Sequence, residues 1–225
     1  MLHGLLKILF PSPCLMCGYL EELICSICRE SLPYDPHVRQ IFDLETGELL
    51  QIGSAMFYEP DSVVSQLVHG LKYQHQADVY RYFVAPLRET LKLFWEPSGV
   101  VLVPVPLHPK RELERGYNQA ELLAKALGKQ WGVPMLRGLK RVKETGSQAQ
   151  LSRRSERQAN MHDVFCVEKV LLDLPKNSQI LLIDDIVTTG STLLACRMAL
   201  QSAGFGQVGA LTLADRALSS PHSRH

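Results

Sequence analysis

The residues best suited to chemistry lie in one run, from Ile180 to Thr192, which reads I-L-L-I-D-D-I-V-T-T-G-S-T. Four consecutive apolar residues are typical of a strand buried on both faces, as in the middle of a parallel sheet. Asp184 and Asp185 follow directly, then four hydroxyl side chains and a glycine. Since a helix is predicted from Leu193 to about Ala203, the run predicts an anion-binding loop between a strand and a helix.

The chemistry of this loop follows from its groups. Unpaired N–H groups at a helix start, with the helix dipole and nearby hydroxyls, hold a phosphate monoester. Carboxylates a few ångströms away accept hydrogen bonds from sugar hydroxyls or help to hold a hydrated Mg²⁺. A phosphate and a diol at that separation describe a ribose 5-phosphate. The candidate residues are Asp184, Asp185, Thr188, Thr189, Gly190, Ser191 and Thr192.

Two simpler interpretations compete with this one. The run could be an ordinary strand-to-helix corner in which Asp185 or Thr188 caps the helix, although a cap needs one such side chain and not six. It could also belong to a phosphoacceptor domain, whose acid pair opens the domain and is followed by several more strand–helix units. Only about forty residues remain after Asp185, which disfavours that class.

This run resembles the PRPP-binding signature of the type I phosphoribosyltransferases. In that signature the paired acids contact the ribose 2′- and 3′-hydroxyls, and the following loop takes the 5′-phosphate. The resemblance implies an α/β fold with a parallel sheet flanked by helices. It also implies that Asp184 and Asp185 serve as catalytic residues as well as ligands of PRPP.

A second strand–loop–helix unit follows Val100–Val105, where Pro104 and Pro106 end an apolar run. The next segment, 108–116, is basic and is interpreted as a loop that leads to a helix from about Asn118 to Gln130. In the transferases that the acidic motif resembles, this place is the pyrophosphate loop. By that resemblance the diphosphate of PRPP would face Arg111, Arg115 and the Gly116 backbone. Lys72, near the end of an amphipathic helix that begins at Pro60-Asp61, is a further candidate for a phosphate contact.

Four of the six cysteines lie within fifteen residues, as Cys14-x-x-Cys17 and Cys25-x-x-Cys28. Each pair places two thiolates on one tight turn, and two such turns complete the tetrahedral sulfur shell that zinc prefers. Disulfides and iron–sulfur ligation are the alternatives, and a reducing cytosol disfavours the first. We predict one structural Zn²⁺ per chain, because a closed four-Cys shell leaves no position for chemistry.

The net charge of +1 conceals a polarised chain. Residues 108–160 hold twelve Lys and Arg against five Asp and Glu, an excess of +7, while the other 172 residues have a net charge of −6. Such a segment attracts polyanions, and a solvated surface is the simpler alternative. With only Tyr117 and Trp131 available for stacking, we predict weak, sequence-independent binding of single-stranded DNA. The predicted contacts are Arg111, Arg115, Lys140, Arg141, Lys143, Arg153, Arg154 and Arg157.

The length of 225 residues and an apolar content of 46% allow one core with an appendage. We predict a zinc module over 1–35, a linker over 36–50, the main domain over 51–218 and a flexible tail over 219–225. The apolar start, Met1–Phe10, has no small-residue cleavage site, and no run reaches the roughly 20 apolar residues of a membrane span. We therefore expect a cytoplasmic protein, at most peripheral at the inner face of the membrane.

The order of motifs sharpens the resemblance to the ComF family, of the ComFC type. The chain carries the two cysteine pairs, H-G-L-K-Y at 69–73, V-P-V-P-L, R-E-L-E-R-G-Y-N-Q at 111–119, Q-x-x-L-S-R-R-S-E-R-Q-A-N from Gln148, and the acidic run. The match covers nearly the whole chain. Many relatives carry further C-x-x-C pairs in the linker, whereas 35–48 has no cysteine here, so a single zinc is expected.

The resemblance implies a protein of natural transformation that binds PRPP and Mg²⁺ and acts with a ComFA-type helicase during uptake of single-stranded DNA. Three classes of function remain open at this point. The protein could be a DNA-uptake factor whose PRPP site senses nucleotide state, a working phosphoribosyltransferase with an unidentified acceptor, or a scaffold in which the zinc module and Met1–Phe10 dock a partner.

Overall fold

The computed structural model of the protein describes residues 13–20, 22–42, 47, 49–72, 74–96, 99–142 and 164–216. A five-stranded sheet in the order β1-β2-β7-β6-β3 organises them. Its strands are β1 (His37–Phe42), β2 (Leu49–Phe57), β3 (Val100–Pro104), β6 (Gln179–Val187) and β7 (Val208–Asp215). A two-stranded antiparallel ribbon is formed by β4 (Leu139–Arg141) and β5 (Phe165–Val167). Strands β2, β7, β6 and β3 are parallel, and β1 is antiparallel to β2.

Helices lie on both faces of the sheet. They are α1 (Ser26–Glu30), α2 (Val63–Gly70), a 3₁₀ helix (Gln74–Tyr82), α3 (Val84–Leu91), α4 (Pro109–Arg115), α5 (Gln119–Trp131), α6 (Lys169–Leu172) and α7 (Ser191–Ser202). One buried cluster contains Leu67 of α2, Leu87 of α3 and Leu123 of α5, and the other contains Leu193 and Leu200 of α7. The predicted α/β class, a mostly parallel sheet between helices, is confirmed.

The segment predicted as a linker, 36–50, contains all of β1 and the start of β2. The interpretation of this segment as a linker is therefore wrong. Along β1 half-buried and exposed side chains alternate, as expected for the edge strand of a sheet. In the sequence, Pro33, Pro36 and the Thr46-Gly47 pair favour a linker, because they are turn signals and the alternation between them is short.

Two further elements differ from the sequence-based expectation. The basic segment predicted as a loop forms α4, which begins with His108 accepting the Lys110 N–H and ends at Gly116, whose φ of 79° suits a left-handed C-cap. The amphipathic segment 79–94, which the sequence predicts to be one helix, is divided into the 3₁₀ helix and α3, with a break at Phe83. Elsewhere the predicted helices agree with α2, α5 and α7 within a few residues at each end.

The cysteine-rich segment packs directly on the main core. Cys14, Ile24, Cys25, Cys28 and Leu32 belong to the same buried cluster as the residues of α2 and α3. The Tyr82 hydroxyl donates to Glu22 Oε2 at 3.0 Å, and the Tyr34 hydroxyl donates to the Tyr82 carbonyl at 3.0 Å. Residues from the predicted zinc module thus share their hydrophobic core with the sheet domain.

In the part of the chain that the structure describes, no helix has both the length and the apolar character needed to cross a bilayer.

Candidate functional site

The acid pair lies on β6, the strand between β3 and β7, where Asp184 is paired with Thr212. Both aspartates are half-buried, and β6 continues past them to Val187. Asp184 Oδ1 accepts the Asp185 N–H at 2.9 Å, and Asp185 Oδ1 accepts the Ile186 N–H at 2.9 Å. Each carboxylate is thereby oriented by the next backbone amide.

The negative charges of Asp184 and Asp185 repel each other. Burial raises the pKa of Asp184 well above its ordinary value, and the Asp185 charge raises it further. The Asp185 N–H and the Lys72 ammonium act in the opposite direction. A bound cation or a hydroxyl donor would relieve this repulsion, so the pair is suited to a ligand that supplies either.

The loop after β6 has the predicted form. Thr188 and Thr189 are exposed, Gly190 has a φ of 80°, and α7 begins at Ser191. The Thr189 and Ser191 hydroxyls lie 3.0 Å apart. Helix α7 is twelve residues long, so the N–H groups of its first turn and its dipole point at this loop. Thr192 is exposed in the same turn, and the whole predicted phosphate-binding set is gathered here.

Lys72 lies close enough to Asp184 to lower its pKa, so the structure brings this predicted residue to the acid pair. The position of Lys72 depends on Tyr117, whose hydroxyl donates to the Leu71 carbonyl at 2.6 Å. Burial raises the pKa of Tyr117 to about 12, against the opposing charge of Arg115. Tyr117 therefore remains a neutral donor that joins the end of α2 to the segment before α5.

Asn118, the next residue, joins that segment to the sheet. Its Oδ1 accepts the Ala120 N–H at 3.0 Å as the N-cap of α5, and its Nδ2 donates to the Val105 carbonyl at 2.9 Å. The R-G-Y-N-Q motif thus connects α4, α5, the end of β3 and the segment that carries Lys72. The sequence identified this motif, but not the hydrogen bonds by which its tyrosine and asparagine join these elements.

The predicted diphosphate contacts lie on α4. Arg111 is exposed and Arg115 is half-buried, and their helix follows β3, the neighbour of β6. Because the carboxyl ends of parallel strands meet at one edge of a sheet, α4 begins at the same edge as the acid pair. Their direct role in binding stays a prediction.

A cavity of about 300 Å³ opens beside this edge, between the end of β3, α4 and the β4–β5 ribbon. Its wall includes Glu112, Glu121, Arg137, Lys140 and Arg141. Burial tends to raise the pKa of Glu121, but hydrogen bonds from Lys125 and Arg137 lower it. Neither the acid pair nor the loop after β6 lines this cavity.

Half of the predicted DNA contacts lie in the described part of the chain. Lys140 is exposed on β4, and the Arg141 guanidinium lies 5.7 Å from the Phe165 ring centroid. Together with Arg111 and Arg115 they place positive charge around the end of β3. The other predicted contacts fall outside the described residues, and they are Lys143, Arg153, Arg154 and Arg157.

The four predicted metal ligands converge. The sulfur atoms of Cys14, Cys17, Cys25 and Cys28 all lie within 4.8 Å of one another. The first pair lies on a turn closed by Cys14 N–H donating to the Tyr19 carbonyl at 2.8 Å, and the second spans the start of α1. Burial raises the pKa of Cys14, but the backbone amides of Cys25, Cys17 and Met16 lower it to about 6.

Two residues near the phosphate loop, Arg39 and Asp215, are not among the residues predicted from the sequence. Arg39 of β1 donates from Nε to the Asp215 carboxylate, and from Nη2 to the Thr188 carbonyl at 2.9 Å. Asp215 is the last residue of β7 and is 0% exposed. The sequence does carry a signal for Asp215, because this acid directly follows the mostly apolar run 208–214, as the acid pair follows the apolar run of β6.

The fold and the acid-and-hydroxyl edge define a class of protein. Residues 113–225 match the model of the phosphoribosyl transferase domain family, so the chain contains a domain of that class. The chain is 31% identical to Competence protein F of Haemophilus influenzae over 82% of its own length and 87% of that protein. It is 27% identical to Competence protein ComFC of Bacillus subtilis, over 89% of its own length and 76% of that protein.

The chain therefore belongs to the ComF family of competence proteins. Among solved structures, adenine phosphoribosyl transferase from Trypanosoma brucei is similar with a TM-score of 0.40 and 14% identity, over 77% of this chain and 88% of that one.

The raised pKa of Asp184 should make the stability of the folded protein depend on pH. Because the folded-state pKa of Asp184 lies above its ordinary 3.8, a proton on Asp184 stabilises the fold at low pH. That contribution is lost as pH rises through the raised pKa. Asp184→Asn keeps the Oδ1 acceptor without the charge, so the ligand-free variant should unfold at higher urea than the wild type near pH 8. The advantage should shrink steadily toward pH 4, and a pH-independent difference would contradict the repulsion.

Proposed function

We propose that this chain binds PRPP with Mg²⁺ and takes part in the uptake of single-stranded DNA during natural transformation. The observation that carries the first half is the edge of the sheet where a paired carboxylate and a hydroxyl-rich helix start adjoin. Asp184 and Asp185 would accept the ribose hydroxyls, and the segment 188–192 would hold the 5′-phosphate. Membership of a family with a phosphoribosyl transferase domain supports this assignment.

The donor set also fits Mg²⁺, which prefers carboxylate, water and phosphate oxygens. Burial and the Asp185 charge raise the pKa of Asp184, and Lys72 is the described cation that acts against this shift. When bound, Mg²⁺ would neutralise the diphosphate of PRPP. In this arrangement Lys72, held through Tyr117, adds a positive charge beside the acids, and Arg111, Arg115 and the Gly116 backbone face the diphosphate.

The proposed ligand is tested by calorimetry with PRPP in the presence of Mg²⁺. PRPP should bind more tightly than ribose 5-phosphate or pyrophosphate, because only PRPP reaches both the loop after β6 and α4. The double variant Asp184→Asn, Asp185→Asn should weaken binding at least about tenfold, since it removes two charge-assisted hydrogen-bond acceptors. Asp173→Asn, which changes an exposed aspartate, is the matched control. Unchanged affinity in the double variant would refute the proposed role of Asp184 and Asp185 in binding the ribose.

Catalytic turnover of PRPP is the second candidate function, and it is favoured by the same groups that we propose to bind PRPP. It requires an acceptor, and the described residues do not identify the chemistry of that acceptor. Incubating the protein with PRPP, Mg²⁺ and a mixture of nucleobases distinguishes the two, because released pyrophosphate would make the protein a transferase and bound but intact PRPP would make it a sensor.

The proposed role in DNA uptake rests on the relatives of the chain, which are competence proteins of Haemophilus influenzae and Bacillus subtilis. In such a role the protein would act with a ComFA-type helicase. The positive charge on α4 and β4 supports a weak contact with the phosphate backbone of single-stranded DNA.

Titration of labelled single-stranded DNA at several salt concentrations tests that contact. Each lost phosphate contact reduces the magnitude of the slope of log affinity against log salt by roughly 0.7. Arg111→Ala with Lys140→Ala should therefore weaken binding and flatten the slope by about 1.4. Arg81→Ala with Lys92→Ala removes two exposed charges outside the predicted contact set, in the 3₁₀ helix and at the end of α3, and should change neither quantity. Binding that is insensitive to salt would exclude the proposed surface.

We further propose that the four cysteines hold one structural Zn²⁺. In a tetrahedral shell with Zn–S bonds of about 2.3 Å the sulfurs lie roughly 3.8 Å apart, and Cys17 Sγ and Cys25 Sγ are separated by 3.8 Å. That separation is far longer than a disulfide bond. Because Cys14, Cys25 and Cys28 belong to the main hydrophobic core, the metal should stabilise the whole protein.

Elemental analysis of purified protein should therefore find one zinc per chain. Cys28→Ser should lose the metal and lower the thermal midpoint of the entire protein, not of a separate module, because Cys28 is buried among core residues. Cys166→Ser, which changes an exposed cysteine outside the cluster, should retain zinc and stability. An iron–sulfur absorption band, or a metal-free protein of unchanged stability, would refute the assignment.

A further inference from the structure

The guanidinium of Arg39 connects two parts of the molecule that are distant in sequence. Its Nε donates to the carboxylate of Asp215, which is 0% exposed at the end of β7, and its Nη2 donates to the Thr188 carbonyl at 2.9 Å. The Nε2 atom of His37 lies 3.8 Å from the same carboxylate. One half-buried side chain thus joins a buried strand end to the first residue after β6.

Ile41, two residues along β1, contacts the other end of the same short segment. Its Cδ1 occupies the space that a Cβ on residue 190 would need. Gly190 therefore fits on two grounds, since its φ is 80° and β1 packs against its α-carbon. Strand β1 contacts both the first and the last residue of the loop 188–190.

This loop has little local support of its own. Thr188 and Thr189 are exposed, and the bonds among its side chains run only between neighbours, such as Thr189 and Ser191. A loop that must present N–H groups to a phosphate gains affinity when its conformation is fixed before the ligand arrives. The bond from Arg39 fixes the backbone at the point where the chain leaves the sheet.

We propose that Arg39 is a positioning residue for the 5′-phosphate loop, and that β1 is part of the ligand site. This strand lies outside the residues 113–225 that match the phosphoribosyl transferase domain model. The Asp215 carboxylate accepts from Nε and holds that side of the planar guanidinium, so Nη2 is directed at the Thr188 carbonyl. The proposal rests on the proposed PRPP function, since it assigns the loop a phosphate ligand.

The substitution that tests the proposal is Arg39→Lys. An ammonium group can keep the ion pair with Asp215, but it lacks the rigid fork that reaches the second acceptor. Affinity for ribose 5-phosphate and PRPP should fall about tenfold, the usual effect of losing one well-placed hydrogen bond. Affinity for inorganic pyrophosphate should stay unchanged, because its proposed contacts lie on α4. Gln40→Ala, an exposed change on the same strand, is the control.

Amide hydrogen exchange on the ligand-free protein separates this proposal from the proposed function. In Arg39→Lys the amides of residues 188–194 should exchange about tenfold faster than in the wild type and in Gln40→Ala. Faster exchange in a protein that binds no PRPP would refute the PRPP function and leave the positioning role intact. Unchanged exchange, or an equal loss of pyrophosphate affinity, would overturn the positioning role.

If Arg39→Lys fails to fold, Ile41→Ala tests independently whether β1 supports the loop. It removes the side chain behind Gly190 while the ion pair is retained, so exchange at 188–194 should again accelerate and ribose 5-phosphate affinity should fall. A folded Ile41→Ala variant with wild-type exchange in the loop would overturn the role of β1.

Discussion

The complete burial of the apolar run in β6 is the constraint on which the rest of the structure depends. Residues Ile180–Ile183 are 0% exposed, and the strand is paired with β3 on one side and β7 on the other. Because its backbone bonds are all satisfied within the sheet, the strand is rigid up to the acids that follow. Carboxylates on such a strand cannot move apart to relieve their repulsion. The burial that positions Asp184 also raises its pKa, so the geometry that we propose for ribose binding is obtained at a cost in stability.

Around that edge, residues from distant parts of the chain complete the site through ties to the backbone. Tyr117 bonds to the carbonyl before Lys72, Asn118 to the carbonyl of Val105, and Arg39 to the carbonyl of Thr188. Each tie fixes a main-chain segment and leaves the side chains that would contact a ligand available. A site built this way is ordered before a ligand arrives, which reduces the entropy lost on binding.

The N-terminal third of the chain contributes to the same architecture. The cysteine cluster is packed into the core face formed by α2, α3 and α5, and β1 closes the sheet beside β2. A metal bound to the cysteines would therefore act on the stability of the sheet domain, and β1 would act on the phosphate loop. The family match to residues 113–225 covers the acid pair and the loop, but not these supporting elements.

Local patterns were sufficient for much of this fold and for the main site residues. The apolar run with two acids, the hydroxyl loop, the cysteine spacing and the start of α5 near Asn118 are all short-range signals, because strand burial, helix starts and tight turns each depend on a few adjacent residues. Three features were decided only by tertiary structure. Strand β1 exists because β2 offers it an edge, Arg39 reaches the loop because β7 ends at Asp215, and Tyr117 meets Leu71 because α5 packs beside the 3₁₀ helix and α3. Their partners lie too far away in sequence for any local pattern to specify, since such pairings depend on how the chain closes its long loops.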